Sequence, residues 1–215
     1  MPIHLETGDI KRFWQAIDQA TLDTALEVLQ REYFDLASPG LRDFIASRIE
    51  SVDKLWATFE AKRAYYTAIR ANTLQVDTLR PQIEAACQRF DELLEDATLP
   101  SVYFLIGQMT SGGTFSQDNI QIGTELFSMD SSTPLHELNA WERSVVKPLE
   151  VLPAIVAHEL AHFLHFQTLR RANPILESRP NTLLIYRRRR RVPGRVGIGR
   201  RYQQRYPQVR FGARS

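Results

Sequence analysis

Two histidines and a glutamate in the segment His158-Glu159-Leu160-Ala161-His162 have the types and spacing of a metal site. Histidines four residues apart lie on one face of a helix, so both imidazoles can reach one metal ion. Zinc suits two imidazole ligands, and the glutamate between them can take a proton from water acidified by the metal. We therefore predict a Zn²⁺ site with His158 and His162 as metal ligands and Glu159 as general base.

Two alternatives concern the same helix. His158 and His162 could instead be hydrogen-bonded core histidines beside a surface glutamate. His165 shares their face, but three histidines on one straight helix spread along roughly 10 Å of its axis. We interpret His165 as a neighbour of the site or a surface residue. The flanking sequence, LEVLPAIVAHELAHFLHF, is apolar almost throughout, so we expect the ligands to project from an anchored, largely dry helix.

The chain divides into three parts, 1–99, 100–177 and 178–215, and the first two contain the elements that must position this helix. Amphipathic spacing predicts about five helices in residues 1–99, with Thr7 or Asp9 capping the first. Residues 100–177 form the metal-binding part, in which the apolar runs 101–109 and 119–129 predict two strands. Gly112-Gly113 between these runs favours a hairpin. A helix is expected at 135–147, before the histidine helix.

Bulk composition favours a globular protein with a real core, since 43% of residues are hydrophobic and 24% are charged. No apolar stretch is long enough to suggest a membrane span. The N-terminus lacks the pattern of a signal peptide, so we expect a cytoplasmic protein or the mature form of an exported one. Cys87 is the single cysteine, and its apolar setting favours a buried side chain.

Charge is distributed unevenly along the chain. Residues 1–177 contain all 25 acidic residues, whereas residues 178–215 contain 12 of the 27 basic residues and no acid. This Arg-rich tail has three interpretations: a tether for nucleic acid or an acidic membrane, a plain disordered tail, or the product of a shifted coding frame. Residues 186–214 can be back-translated, with suitable choices among synonymous codons, and read in the frame one nucleotide later. That frame encodes a Glu-Gly segment and an amphipathic helix of balanced charge. We favour the frameshift.

The run LNAWERSVVKPLEVLPAIVAHELAHFLHFQ, preceded by VYFLIGQMTSGGTFSQDNIQIGTELF, resembles a bacterial family of predicted zinc-dependent proteases, much of it of unknown function. The resemblance covers about residues 8–170. It implies an α+β, gluzincin-like zincin domain, in which a mixed sheet lies beside the active-site helix. It also implies an edge strand, at residues 120–128 here, that could hold an extended peptide.

The third zinc ligand is where this chain departs from the resemblance. Gluzincins take that ligand from a glutamate on a later helix, often in a Glu-Gly segment. Beyond Glu159 the only acidic residue is Glu177, whose neighbours favour a solvated loop. Glu177 and His165 are the candidates for a third ligand, and without one the chain would bind zinc weakly and be inactive.

The sequence therefore predicts a zinc metallopeptidase that acts on a peptide or protein substrate. Two functions of other classes remain open at this point. One is a nucleic-acid-binding protein that uses the basic tail, with the helices as its scaffold. The other is a catalytically dead helical interaction module.

Overall fold

A four-stranded mixed sheet surrounded by helices gives the chain an α+β fold. The computed structural model describes residues 3–93 and 98–172. The predictions for Glu177 and for the tail at 178–215 fall outside these residues. Within them the α-helices are α1 (Gly8–Gln19), α2 (Ala25–Leu29), α3 (Pro39–Phe44), α4 (Val52–Ala61), α5 (Arg63–Thr73), α6 (Arg80–Leu93), α7 (Ala140–Val145) and α8 (Leu152–Ala172).

The helices predicted in the first hundred residues form, with local differences. The second and third continue as the π-helical turns Gln30–Phe34 and Ile45–Ile49. A single helix predicted across 52–71 is broken at Lys62, whose backbone leaves the helical region while its ammonium lies 3.3 Å from Glu142. Neither predicted cap of α1 makes a capping bond. Thr7 stands at the N-cap position but donates to Asp77, and Asp9 is buried in the first turn, where it pairs with Arg12.

The strands are β1 (Leu5–Glu6), β2 (Ser101–Leu105), β3 (Gly113–Phe115) and β4 (Asn119–Gly123), and their order in the sheet is β1-β2-β4-β3. The predicted hairpin between the first two apolar runs is wrong. β2 and β4 are parallel neighbours, and Gly112-Gly113 leads into β3, which pairs antiparallel with β4. The implied edge strand at 120–128 is also wrong, because β4 lies inside the sheet and β3 is at its edge.

The register assigns the two faces of the sheet to different helices. Thr114 of β3 pairs with Gln121 of β4, so their side chains share the face covered by α3 and the π-helical turn Ile45–Ile49 that follows it. Gly113 and Phe115 point to the opposite face, where α8 packs. The edge strand β3 thus lies between the turn Ile45–Ile49 on one side and α8 on the other.

Three buried tyrosines fix the helical part to the far end of the sheet. The hydroxyls of Tyr33, Tyr66 and Tyr65 donate to the backbone carbonyls of Ile106, Gly107 and Glu125, respectively. Such bonds satisfy the carbonyls at strand ends that have no ladder partner. Residues from the helices and from all longer strands therefore contribute to one hydrophobic core.

Glu125 is a fully buried carboxylate at this end of the sheet. It follows β4 in the short 3₁₀ turn Thr124–Leu126 and accepts hydrogen bonds from the backbone N–H groups of Gly107 (2.9 Å) and Met109 (3.2 Å). Met109 has a φ of 60°, a conformation uncommon for a residue with a side chain. Glu125 thereby holds the start of the loop that joins β2 to β3.

Candidate metal centre

Helix α8 carries all the predicted site residues on an anchored scaffold. Pro153 lies in its first turn, where a missing N–H costs no intrahelical bond. The apolar side chains of Val156, Leu160, Phe163 and Leu164 recur at helical spacing and are buried in the core. This contact fixes the rotation of the helix and therefore the direction in which the polar face points.

The two predicted ligands face the same point. The Nε2 atoms of His158 and His162 are 3.0 Å apart, and the two rings are nearly perpendicular. Two imidazole nitrogens bound to one tetrahedral zinc at 2.0–2.1 Å are separated by about 3.3 Å. The pair therefore fits zinc after a shift of a few tenths of an ångström. The same separation also suits a direct hydrogen bond between two neutral rings, which was the alternative interpretation.

The ligand face is open rather than dry. His158, His162 and His165 are all exposed, in contrast to the expectation for the ligands from the apolar flanking sequence. The apolar residues of α8 cover the sheet and leave the histidines on the other side. Exposure of His165 agrees with its interpretation as a surface residue.

Glu159 turns from this face towards the edge strand. A Cβ atom added at Gly113 would lie 2.5 Å from Oε1 of Glu159, well inside contact distance. Any larger residue at position 113 would displace the Glu159 side chain, so glycine permits this close approach of strand and carboxylate. The sequence identified this glycine only as part of a chain reversal, so its contact with Glu159, the predicted general base, was missed.

Burial raises the pKa of the Glu159 carboxyl. Electrostatic interactions with His158, His162 and Arg48 oppose that rise. A half-buried carboxylate with a raised pKa is better matched to accepting a proton from water than an exposed one. The electrostatics therefore suit the role predicted for Glu159.

Arg48 belongs to the surroundings of the site although no sequence pattern marked it. It lies in the π-helical turn Ile45–Ile49 and donates from Nη2 to Oγ1 of Thr114, at 2.7 Å. Its contact spans 66 residues of sequence, and local spacing carries no information over such a distance. The chain has 27 basic residues, so residue type alone could not have selected it.

A third protein ligand does not occur in the part of the chain that the structure describes. No group of three or more His, Cys, Asp or Glu side chains at 3–93 or 98–172 is arranged to hold a metal ion. Glu177 lies outside that part. The described residues thus supply two neighbouring histidines, with Nε2 atoms 3.0 Å apart, as candidate ligands.

Comparison with known proteins found no matching family model, curated protein or solved structure. Across residues 3–93 and 98–172, no helix has the length and apolarity needed to cross a membrane. The interpretation of the site therefore depends on the geometry of α8 and its neighbours.

Proposed function

We propose that this chain carries the catalytic helix of a zinc metallopeptidase, with His158 and His162 as zinc ligands and Glu159 as general base. The observation that carries the proposal is the 3.0 Å separation of the two Nε2 atoms, close to the spacing required by one tetrahedral zinc. Bound zinc would supply a Lewis acid that polarises the scissile carbonyl and acidifies water. Zn²⁺ is therefore the proposed cofactor.

The residues of the chain would do the remaining work. Glu159 would accept a proton from the attacking water and return it to the leaving amine, as a carboxylate with a raised pKa can. Contact with Gly113 limits the positions that the carboxylate can adopt. The carboxylate would thus be fixed before substrate binds.

A peptide or protein is the proposed substrate because β3 lies at the edge of the sheet, beside α8. An extended peptide can pair with the free backbone groups of an edge strand, which would place a peptide bond near Glu159. Phe115 of β3 contacts Phe163 and Phe166 of α8, and these rings add an apolar surface at one end of the strand.

Low affinity for zinc is part of the proposal. The described residues supply two nitrogen ligands, whereas catalytic zinc sites normally use three protein ligands. We infer that the chain hydrolyses peptides slowly or not at all unless Glu177, which lies outside the described residues, completes the site.

Zinc binding by the purified full-length chain tests the proposal. We expect at most one zinc per chain, with an affinity low enough to be measured by competition with a weak chelator. His158→Ala and His162→Ala should each lose the zinc. His4→Ala removes another exposed histidine and should leave binding unchanged. Glu159→Gln should keep the metal and abolish any hydrolysis. Undiminished zinc binding by the His158→Ala/His162→Ala double variant would contradict the proposal.

A further inference from the structure

Arg48 binds the loop between β2 and β3 at two separate places. Its backbone carbonyl accepts hydrogen bonds from Nε2 of Gln108 (2.7 Å) and Oγ1 of Thr110 (3.2 Å). Its guanidinium donates to Oγ1 of Thr114 (2.7 Å) on β3. Arg48 thus holds both the loop and the middle of the edge strand.

The strand held in this way is the one that touches the general base. Gly113, which precedes Thr114, lies against the carboxylate of Glu159 on the other face of the sheet. A three-residue strand has few ladder bonds of its own, so a side-chain bond at its centre restricts its movement strongly. Any shift of Thr114 away from Arg48 also moves Gly113 relative to Glu159.

We propose that Arg48 is a positioning residue for Glu159, acting through its bond to Thr114 and the contact of Gly113 with the Glu159 carboxylate. This inference rests on the proposed function for its catalytic meaning, since Glu159 is the general base only in that proposal. The mechanical link from Arg48 to Glu159 can be measured without any turnover.

Nuclear magnetic resonance of the full chain gives the first test. Glu159→Gln should shift the amide signal of Gly113, because the two groups are in contact. We expect Arg48→Ala and Thr114→Val each to reduce that response by at least half, since each removes the same bond. The two substitutions together should reduce it no further than either alone. Arg48→Lys, which can still donate to Thr114, should restore most of it.

Arg42→Ala is the matched control, because Arg42 is an exposed arginine on the neighbouring helix α3. It should leave the Gly113 response unchanged. A response in Arg48→Ala equal to that in Arg42→Ala would overturn the inference, as would additive effects of Arg48→Ala and Thr114→Val. Thermal unfolding of each variant identifies any that fail to fold, and Arg48→Lys then provides the comparison.

Kinetics on a fluorescence-quenched peptide library provide a second, separate measurement. With zinc bound, Arg48→Ala should lower kcat about tenfold and change KM less than twofold, because a misplaced base affects the transition state and not substrate binding. Zinc affinity should not change, since Arg48 is not a ligand. If the unaltered chain shows no turnover, which the proposed two-ligand site allows, the Gly113 response alone decides the role of Arg48.

Discussion

The loop between β2 and β3 contacts a carboxylate at each end, Glu125 at its start and Glu159 at its end. The two carboxylates differ in their burial and in the hydrogen bonds that they accept. Glu125 is fully buried, and two backbone N–H groups of the loop donate to it. Glu159 is half-buried and lies against Gly113, next to two exposed histidines. The first carboxylate holds the backbone of the loop, whereas the second is available for the proton transfer that we propose.

The largest difference between the two carboxylates should appear in stability. Glu125→Ala leaves the buried N–H groups of Gly107 and Met109 without acceptors, which we expect to cost about 3 kcal/mol in the free energy of unfolding. Glu159→Ala should change the free energy of unfolding by less than about 1 kcal/mol. That side chain is half-buried, and its removal also removes the cost of burying its charge. Urea denaturation measures both. Equal losses would show that Glu159 is as structural as Glu125.

The pH dependence of stability should sharpen the same contrast. Burial raises the pKa of Glu125 from an ordinary value of 4.5 to about 7, although the N–H groups of Gly107 and Met109 oppose that rise. Folding therefore favours the protonated form. The stabilisation is complete below pH 4.5 and is lost as the pH rises through 7, a change of about 3 kcal/mol.

Unfolding of the unaltered chain and of Glu125→Gln from pH 4 to pH 8 isolates this contribution, since the amide cannot titrate. The difference in unfolding free energy between the two proteins should change by about 3 kcal/mol over this range. A constant difference would place the pKa of Glu125 near its ordinary value.

The smallest expected effect concerns the contact at the other end of the loop. Gly113→Ala places a methyl group against the outer atoms of the Glu159 side chain, and because that side chain can shift we expect a cost of about 1 kcal/mol, the low end for overpacking. The cost should disappear in a Glu159→Ala background, which provides the missing space. A double-mutant cycle in urea measures this coupling. Additive effects would mean that Gly113 is constrained by something other than Glu159.

Local patterns in the sequence predicted what is local in the structure. The i, i+4 spacing of His158 and His162 and the apolar repeat around them define α8, because both depend on one helical turn. Pairing between strands depends on distant residues, so the parallel contact of β2 with β4 could not be read from two apolar runs. The contact of Gly113 with Glu159 and the bond from Arg48 to Thr114 were missed for the same reason.

Strand β1 has a consequence for how the chain folds. Leu5 pairs with Val102, so this strand of two residues pairs with a strand roughly a hundred residues later in the sequence. Closing so long a loop costs entropy before any ladder bond compensates for it, and proteins rich in distant contacts fold slowly. Helices α1 to α6 lie within that loop and can form early. The hydroxyls of Tyr33, Tyr65 and Tyr66 donate to carbonyls that follow β2 and β4, so we expect these bonds to form late, when the sheet is completed.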